Sequence, residues 1–515
     1  MTPGRALTVL LLLLAAGCRA TPVAEALPDD MIVRVSEDEV KSLDPQAASD
    51  LATLRVAADQ FEGLTRYRGD GTIEPGLAAG WSVDASGTLW RFRLRPGLRF
   101  SDRKPITAQT IVASLERLLD PKKASPHRIL FDAIESVRAA TAGSIEIRLR
   151  RPFPALPELL AHPAAAALPM HRITAIGAAW TQDRPLVTSG AYRLTEWRLH
   201  DHITLARNSA WHDPPASIAR IRWRPVDDRQ TALRLFLSSG ADQLSDFPSE
   251  RHQWLQRERP GAVRIAPYRG VYYFVFNTRR PPFDDVRVRR ALDLAVERGL
   301  IAERLIGLGV RPAWGVVPPE VSGDARPIAA SAAMPRADRL AEAKRLLAEA
   351  GYGDARPLCF EIRFNSDVDH RRIAVALLDN WKGLPVRPRL LNSEATLHFA
   401  SLRRGDFDLA RTSWIGDLSV PENFLAVHRS DAGPINYSGY ASPAFDAALD
   451  RALMTGDPAA RAAAMRTAEM VLMRDAPVLP IYFYSSKNLV SARLGGWQNN
   501  LANLHPSRTL FVRTP

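Results

Sequence analysis

The chain carries its clearest structural signal in the run VYYFVF at residues 271–276, which ends at Asn277 and at the neighbouring prolines Pro281 and Pro282. Six consecutive residues with high β propensity predict a strand, and the asparagine and prolines stop it because proline cannot donate to a strand ladder. Residues 287–295, directly after the prolines, predict a helix. This part of the chain therefore combines a strand with a following helix.

The same alternation of strands and helices continues on both sides. The segment WRFRLR at residues 90–95 alternates apolar and charged side chains after a turn, which predicts a half-buried hairpin strand. A strand pair is predicted at 191–194 and 203–205, a helix at 111–119, and a second helix at 338–350 that is capped by Asp338. Residues 322–337 are rich in Ala, Pro and Ser, which predicts a long surface loop. Without a fixed repeat period, this pattern indicates a multi-domain α/β protein.

Length and charge narrow the class of protein. At about 150 residues per domain, a chain of 515 residues predicts roughly three domains. With 46% hydrophobic and 24% charged residues, the composition argues against disorder, a coiled coil or a polytopic membrane protein. The net charge of +12 arises from 68 basic residues, mostly arginine, interspersed with 56 acidic ones. Because like charges do not form long runs, we interpret the excess as solvated surface and predict no nucleic-acid binding.

The two cysteines have different predicted roles. Residues 1–18 contain one cation, Arg5, a short apolar stretch and small residues before Cys18, which is typical of a bacterial lipoprotein signal with lipidation at Cys18. A plain secretory signal cleaved near Ala20 is the alternative. Cys359 has no thiol partner in the mature chain, so an internal disulfide is excluded. Its apolar, strand-like context predicts a buried small side chain.

The common enzyme motifs are missing from the sequence. It contains no Gly-Lys dipeptide, and therefore no P-loop, and it lacks the usual zinc-protease, dithiol and serine-hydrolase signatures. The triplet His200-Asp201-His202 could place two imidazoles on one strand face, but with no evident third ligand we favour an exposed strand edge over a metal site. We expect neither a cofactor nor a metal, and no enzymatic activity.

Several segments, taken in order, resemble one known family. They include PGLAAGW at 75–81, GAY at 190–192, FNT at 276–278, PPFDDVRVR at 281–289, WIGD at 414–417 and NYSGYASPAFD at 436–446. Together with the N-terminal signal they resemble the extracytoplasmic peptide-binding proteins of ABC importers, solute-binding protein family 5, and most closely the oligopeptide-binding proteins of Gram-negative bacteria. The resemblance covers roughly residues 31–515.

The resemblance implies an α/β, bilobal periplasmic-binding-protein clamp, type II-like and of cluster C, with an extra inserted domain. After the signal at 1–18, lobe I would be discontinuous and comprise 31–50, 179–270 and 486–515. Domain II would be inserted at 51–178, and lobe III would span 271–485. We expect a monomer that closes over its ligand.

The same resemblance assigns roles to single residues. Asp417 would meet the peptide ammonium, unless it is a surface residue that ends a strand, and Trp414 would form an apolar wall beside it, unless it is a core tryptophan. Arg411 and His370 would serve the peptide carboxylate. Main-chain pairing with the peptide would come from Glu39, Val40, Ser413 and Ile415.

Three departures from the family pattern affect the predicted ligand. Ala395 and Ala113 replace a tryptophan and a tyrosine of similar proteins, which would enlarge the cleft. Leu402 replaces an arginine, for which Arg403 or Arg404 could substitute.

The resulting prediction is a periplasmic, membrane-anchored lipoprotein that binds short peptides and delivers them to an ABC permease. The open alternatives are the same fold with a murein peptide, opine, sugar or metal chelate, and a secreted hydrolase or a regulator from other classes.

Overall fold

The computed structural model describes residues 27–324 and 329–513. The predicted signal and Cys18 lie outside the described residues. Within these ranges no helix combines the length and the apolar character that a bilayer span requires.

The strands follow one another along the whole described chain. They are β1 Met31–Ser36, β2 Thr65–Tyr67, β3 Ile73–Pro75, β4 Ala78–Val83, β5 Leu89–Leu94, β6 Ile134–Thr141, β7 Ser144–Leu149, β8 Tyr192–Arg198, β9 His202–Arg207, β10 Arg220–Pro225, β11 Gln243–Leu244, β12 Val263–Phe276, β13 Arg311–Pro312, β14 Leu358–Asn365, β15 Val386–Ser393, β16 Leu409–Ile415, β17 Val478–Val490, β18 Leu494–Gly495 and β19 Phe511–Val512.

The α-helices lie between these strands. They are α1 Leu51–Gln60, α2 Ala108–Leu119, α3 Leu156–Leu159, α4 Met170–Ile176, α5 Arg229–Leu237, α6 His252–Glu258, α7 Val286–Leu294, α8 Pro319–Ser322, α9 Arg336–Glu349, α10 Val368–Asn380, α11 Ala395–Arg404, α12 Glu422–Leu425, α13 Pro443–Met454 and α14 Pro458–Asp475. A π-helical segment, Leu300–Ile306, follows α7.

One large mixed sheet joins most strands in the order β15-β14-β16-β12-β17-β11-β1-β10-β9-β8, with β13 added at β17. The pairs β1–β10, β1–β11, β14–β15 and β14–β16 are parallel, and the other pairs in this sheet are antiparallel. A second sheet has the order β4-β5-β7-β6. The α/β prediction is confirmed.

Strand β12 shows why the run at 271–276 is apolar at every position. Tyr272, Phe274 and Phe276 pack into one core, and Val271, Tyr273 and Val275 pack into another on the opposite face. A strand that is covered on both faces has no position for a solvated side chain, so the sequence reads as an unbroken apolar run.

A separate core belongs to the smaller sheet. Trp90, Phe92, Ile145 and Ile147 from β5 and β7 pack there against α2 and the segment around α3, and Leu418 joins them from far along the chain. Two further cores lie on the two sides of β1, one around Ile32 and one around Val33 and Val35.

Four local predictions need correction. Cys359 is exposed, because in β14 only the alternating residues Leu358, Phe360, Ile362 and Phe364 are buried. The helix predicted from Asp338 begins two residues earlier, at Arg336, and a short 3₁₀ turn at Ala330–Ala333 interrupts the predicted loop.

The predicted exposed edge at His200 and His202 is also only half right. His200 is exposed with a positive φ of 61°, whereas His202 is buried and bonds Glu196. In the part of the chain that the structure describes, no three His, Cys, Asp or Glu side chains are arranged to hold a metal ion.

Candidate functional site

A cavity of about 370 Å³ lies where segments that are distant in the sequence meet. It is lined by one face of α1, by residues 161–163 and 190–191, by Tyr268 and Arg269 of β12, by Ile415 at the end of β16 with the next two residues, and by residues 502–508 near the C-terminus. A cavity of this size, with polar groups at fixed places among apolar ones, is typical of a small-ligand site.

Asp417 is the one predicted polar site residue that lines this cavity. Its backbone N–H donates to Asn423 Oδ1 at 2.8 Å, which holds the loop after β16 in place. Its carboxylate makes no hydrogen bond or ion pair within the described residues and is reached by solvent. The surrounding protein nevertheless raises the pKa of Asp417 by desolvation, against the opposing charges of Arg269 and His127. This carboxylate is open to a cationic ligand group.

Arg411 lies on β16 outside this cavity and is buried. Its guanidinium donates to Asn365 Oδ1 at 3.3 Å and to the Tyr484 hydroxyl at 3.2 Å, and it lies 4.8 Å from the ring centre of Tyr272. Its Nε has no hydrogen-bond partner, and no described acidic side chain forms an ion pair with it. A buried cation without a counter-ion is costly unless a ligand supplies one.

His370 lies beside the same tyrosine. Its Nδ1 is 3.4 Å from the Tyr272 hydroxyl and 3.7 Å from a carboxylate oxygen of Asp367. Burial and the charge of Arg411 lower the pKa of His370, against the pull of Asp367. The ring is therefore neutral at pH 7. Arg411 and His370 thus both contact Tyr272.

Strand β16 has a free edge beside these residues. It pairs with β12 along its whole length, from Leu409 to Ile415, but with β14 only at Leu409 and Ala410. The carbonyl of Arg411 accepts from His398 Nε2, away from β12. Backbone groups alternate along a strand, so the N–H and C=O groups of Ser413 and Ile415 point to that same free side. They could pair with an extended ligand.

The remaining predicted residues have different surroundings. Trp414 is half-buried, packs against the core that contains Val271, and leaves its indole N–H without a hydrogen-bond partner. Val40 is buried in the core around Ile32, and the carboxylate of Glu39 accepts from the backbone N–H of His200 at 3.1 Å. Of this group only Ile415 lines the cavity.

The departures from the family pattern are distributed over the molecule. Leu402 is fully buried in a core, Ala395 is the exposed first residue of α11, and Ala113 is half-buried on α2.

Sequence reasoning missed helix α1 as part of the site. Leu51, Leu54, Arg55 and Ala58 all line the cavity. Their spacing of three, four and seven residues places them on one helix face. That spacing was visible in the sequence, but nothing there indicated that this face meets Asp417.

Comparison with known proteins agrees with this geometry. Residues 72–435 match the family model described as bacterial extracellular solute-binding proteins, family 5 Middle. The periplasmic oligopeptide-binding protein OppA of Escherichia coli (strain K12) is 33% identical over 486 residues, which cover 90% of this chain and 89% of that protein. The periplasmic murein peptide-binding protein MppA of the same organism is 32% identical and covers 93% of each chain.

A solved structure shows the same architecture. The crystal structure of Haemophilus influenzae OppA in complex with RPPGFSPFR has a TM-score of 0.82 and 27% identity, and the match covers 95% of this chain and all of that one. The fold, the cavity and the sequence match are consistent with one another, and the chain belongs to the family 5 bacterial extracellular solute-binding proteins.

Proposed function

We propose that this protein is the extracytoplasmic receptor of an ABC importer and that it binds short peptides, which it delivers to the permease. The observation that carries the proposal is Asp417, whose carboxylate faces a cavity with no bonded partner. A short peptide of any sequence offers an ammonium, a carboxylate and backbone amides. Asp417, the pair Arg411 and His370, and the free edge of β16 provide one complementary group for each.

The similarity to oligopeptide-binding and murein peptide-binding relatives supports the same ligand class. Among the alternatives, a murein peptide fits best because it retains amide and carboxylate groups, whereas an uncharged sugar would leave Asp417 unpaired. Binding to both halves of the molecule would stabilise a closed state, so the ligand acts through a conformational equilibrium without chemical change.

We also propose the domain division 31–50 with 179–270 and 486–515, 51–178, and 271–485. The separate core of the smaller sheet supports the second unit, and the two cores on either side of β12 support the third.

Lipidation at Cys18, with anchoring to a membrane on the periplasmic side, is proposed from the sequence of residues 1–18 alone. A monomer is proposed as the working state.

Calorimetry on refolded, ligand-stripped protein tests the peptide proposal. Free-amine peptides of about two to six residues should bind to the wild type. Asp417→Asn should weaken their binding by about 2 kcal/mol, which is the lower end of the range for losing one partner of a charged pair, because solvent reaches this carboxylate. N-acetylated peptides should bind the wild type and the variant equally. Asp354→Asn, at an exposed carboxylate in the same half of the chain, is the matched control. Equal losses for free and acetylated peptides would refute the role of Asp417.

A further inference from the structure

The charged side chains around the cavity differ in how completely they are paired. The cavity is lined by Arg34, Arg55, Arg66, Arg269 and Arg508, and by Asp59, Glu62 and Asp417. Arg66 forms ion pairs with Glu62, Glu74 and Asp213. Arg508 pairs with Glu74, and Arg269 pairs with Glu158 at 2.7 Å. Each of these three arginines has at least one close acidic partner within the protein, although the buried Nε of Arg269 has no hydrogen-bond partner.

Arg34 is engaged in a different way. Its guanidinium donates to the His505 carbonyl and to Ser507 Oγ, each at 2.8 Å, and it stacks over the ring of Trp223. The nearby carboxylate of Asp59 accepts from the backbone N–H of Ser507 at 3.0 Å and balances the charge of Arg34. These groups form a closed network in the cavity wall.

Arg55 is the exception among the cavity arginines. Its side chain is 12% exposed, and its one ion pair is a 3.9 Å contact with Glu37, whose own side chain is 46% exposed. The guanidinium makes no hydrogen bond within the described residues. Glu37 does not line the cavity, whereas Arg55 does, on the same helix face as Leu51 and Ala58. A largely enclosed guanidinium with one long contact retains donors for a ligand.

The cavity therefore presents Asp417, an anion without a bonded partner, and Arg55, a cation whose guanidinium makes no hydrogen bond within the described residues. Asp417 and Arg55 line the same space, and the charges of both act on Tyr268, which lines it as well. Arg411 does not line this cavity, so a peptide whose ammonium meets Asp417 and whose carboxylate meets Arg411 would place its amino-terminal part beside Arg55.

We propose that Arg55 makes this receptor selective for peptides that carry an acidic side chain at the first or second residue. The inference rests on the proposed peptide-binding function and names its ligand class. An acidic side chain of the peptide would bring a carboxylate closer to Arg55 than Glu37 does. A basic side chain of the peptide would be repelled by Arg55.

Titration calorimetry with matched peptides tests this selectivity. The pairs are Glu-Ala-Ala with Gln-Ala-Ala and Ala-Glu-Ala with Ala-Gln-Ala, which differ in charge but not in size. In at least one pair the wild type should bind the acidic peptide about tenfold more tightly, which corresponds to about 1.4 kcal/mol. In Arg55→Gln this ratio should fall to about one, and Arg55→Lys should keep part of it.

Glu37→Gln is the matched control, because it removes the competing carboxylate and leaves Arg55 in place. Its acidic-to-neutral ratio should equal or exceed that of the wild type. Thermal unfolding followed by circular dichroism confirms that each variant is folded.

The possible failures are distinguishable. If both members of each pair bind the wild type equally, the selectivity proposal is wrong while peptide binding stands. If Arg55→Gln keeps the wild-type ratio, or Glu37→Gln loses it, Arg55 is not the selecting residue. If no peptide binds, the proposed function fails and the selectivity falls with it.

Discussion

At the residue scale, Glu469 on α14 places a carboxyl group inside a core. Its Oε1 accepts from the backbone N–H groups of Val316 and Val317 at 2.8 and 2.9 Å, and the side chain is buried. Desolvation raises the pKa of Glu469 from 4.5 to about 7, although the two N–H groups and Arg466 favour the charged form. The unfolded chain thus loses this proton at lower pH than the folded one, so the free energy of unfolding falls as pH rises from 4.5 to about 7.

Glu469→Gln tests this linkage, because an amide oxygen can accept both N–H groups without titrating. The free energy of unfolding of both proteins is measured in urea at about pH 5 and about pH 8. From the lower to the higher pH, that of the wild type should fall by about 2–3 kcal/mol more than that of the variant. A constant difference at both pH values would mean that the Glu469 carboxyl titrates in the folded protein as it does in the unfolded chain.

Some residue environments could be predicted from the sequence and others could not. The period of two in LCFEIRF at 358–364 places Cys359 on the strand face opposite to that of Leu358 and Phe360. This local pattern predicts that Cys359 is exposed, as the structure shows. The proximity of Arg411 and His370 depends on Tyr272, which is 98 positions from His370 and farther still from Arg411, and no local pattern contains that information.

At the element scale, the pairing of β12 with β16 depends on a residue without a side chain. Gly270 lies opposite Ile415, and an added Cβ would overlap the Cδ1 of Ile415 and lie 3.0 Å from the ring of Tyr484. Gly270→Ala should therefore lower the free energy of unfolding by about 1 kcal/mol, the lower end for overpacking because the Cδ1 of Ile415 is the end of a flexible side chain, and should weaken peptide binding by shifting that side chain at the end of β16.

Ile415→Val removes the clashing methyl group and provides a matched rescue. The double variant should recover most of the stability and affinity lost in Gly270→Ala, which would appear as a favourable coupling energy in a double-mutant cycle. Strictly additive losses in urea unfolding and calorimetry would contradict the steric explanation.

The elements themselves were predictable to different degrees. The apolar half of β12 is evident in the sequence, but its first half, residues 263–267, contains Arg264 and Pro267 and was not predicted as a strand. It pairs with β17 through Val263↔Leu489 to Pro267↔Ser485, beyond an irregularity between Pro267 and Val271. Tertiary pairing here overrides local propensity.

At the scale of the whole molecule, β12 and β17 connect the two ends of the large sheet, while the smaller sheet contacts the rest through buried polar groups. Glu158 of α3 accepts from Arg269 Nη1 at 2.7 Å and from the backbone N–H and hydroxyl of Ser419 at 3.1 and 3.0 Å. Leu418 inserts into the core of the smaller sheet next to this cluster. Partners separated by 111 and 261 residues leave no pattern in the sequence, so this link emerges only from the structure.

The Glu158 cluster spans the smaller sheet and the loop that carries Asp417, so it should favour the closed arrangement before any ligand binds. Glu158→Gln keeps the shape but leaves the buried Arg269 without its counter-ion, which costs about 3–5 kcal/mol where such pairs are fully enclosed. Small-angle scattering of the ligand-free variant should give a larger radius of gyration than the wild type. Peptide affinity should fall, because binding must then supply the closing free energy, and saturating peptide should restore the wild-type radius. Glu135→Gln, at an exposed carboxylate of the same smaller sheet, should change neither measurement. An unchanged radius in Glu158→Gln would show that this cluster stabilises the fold without biasing closure.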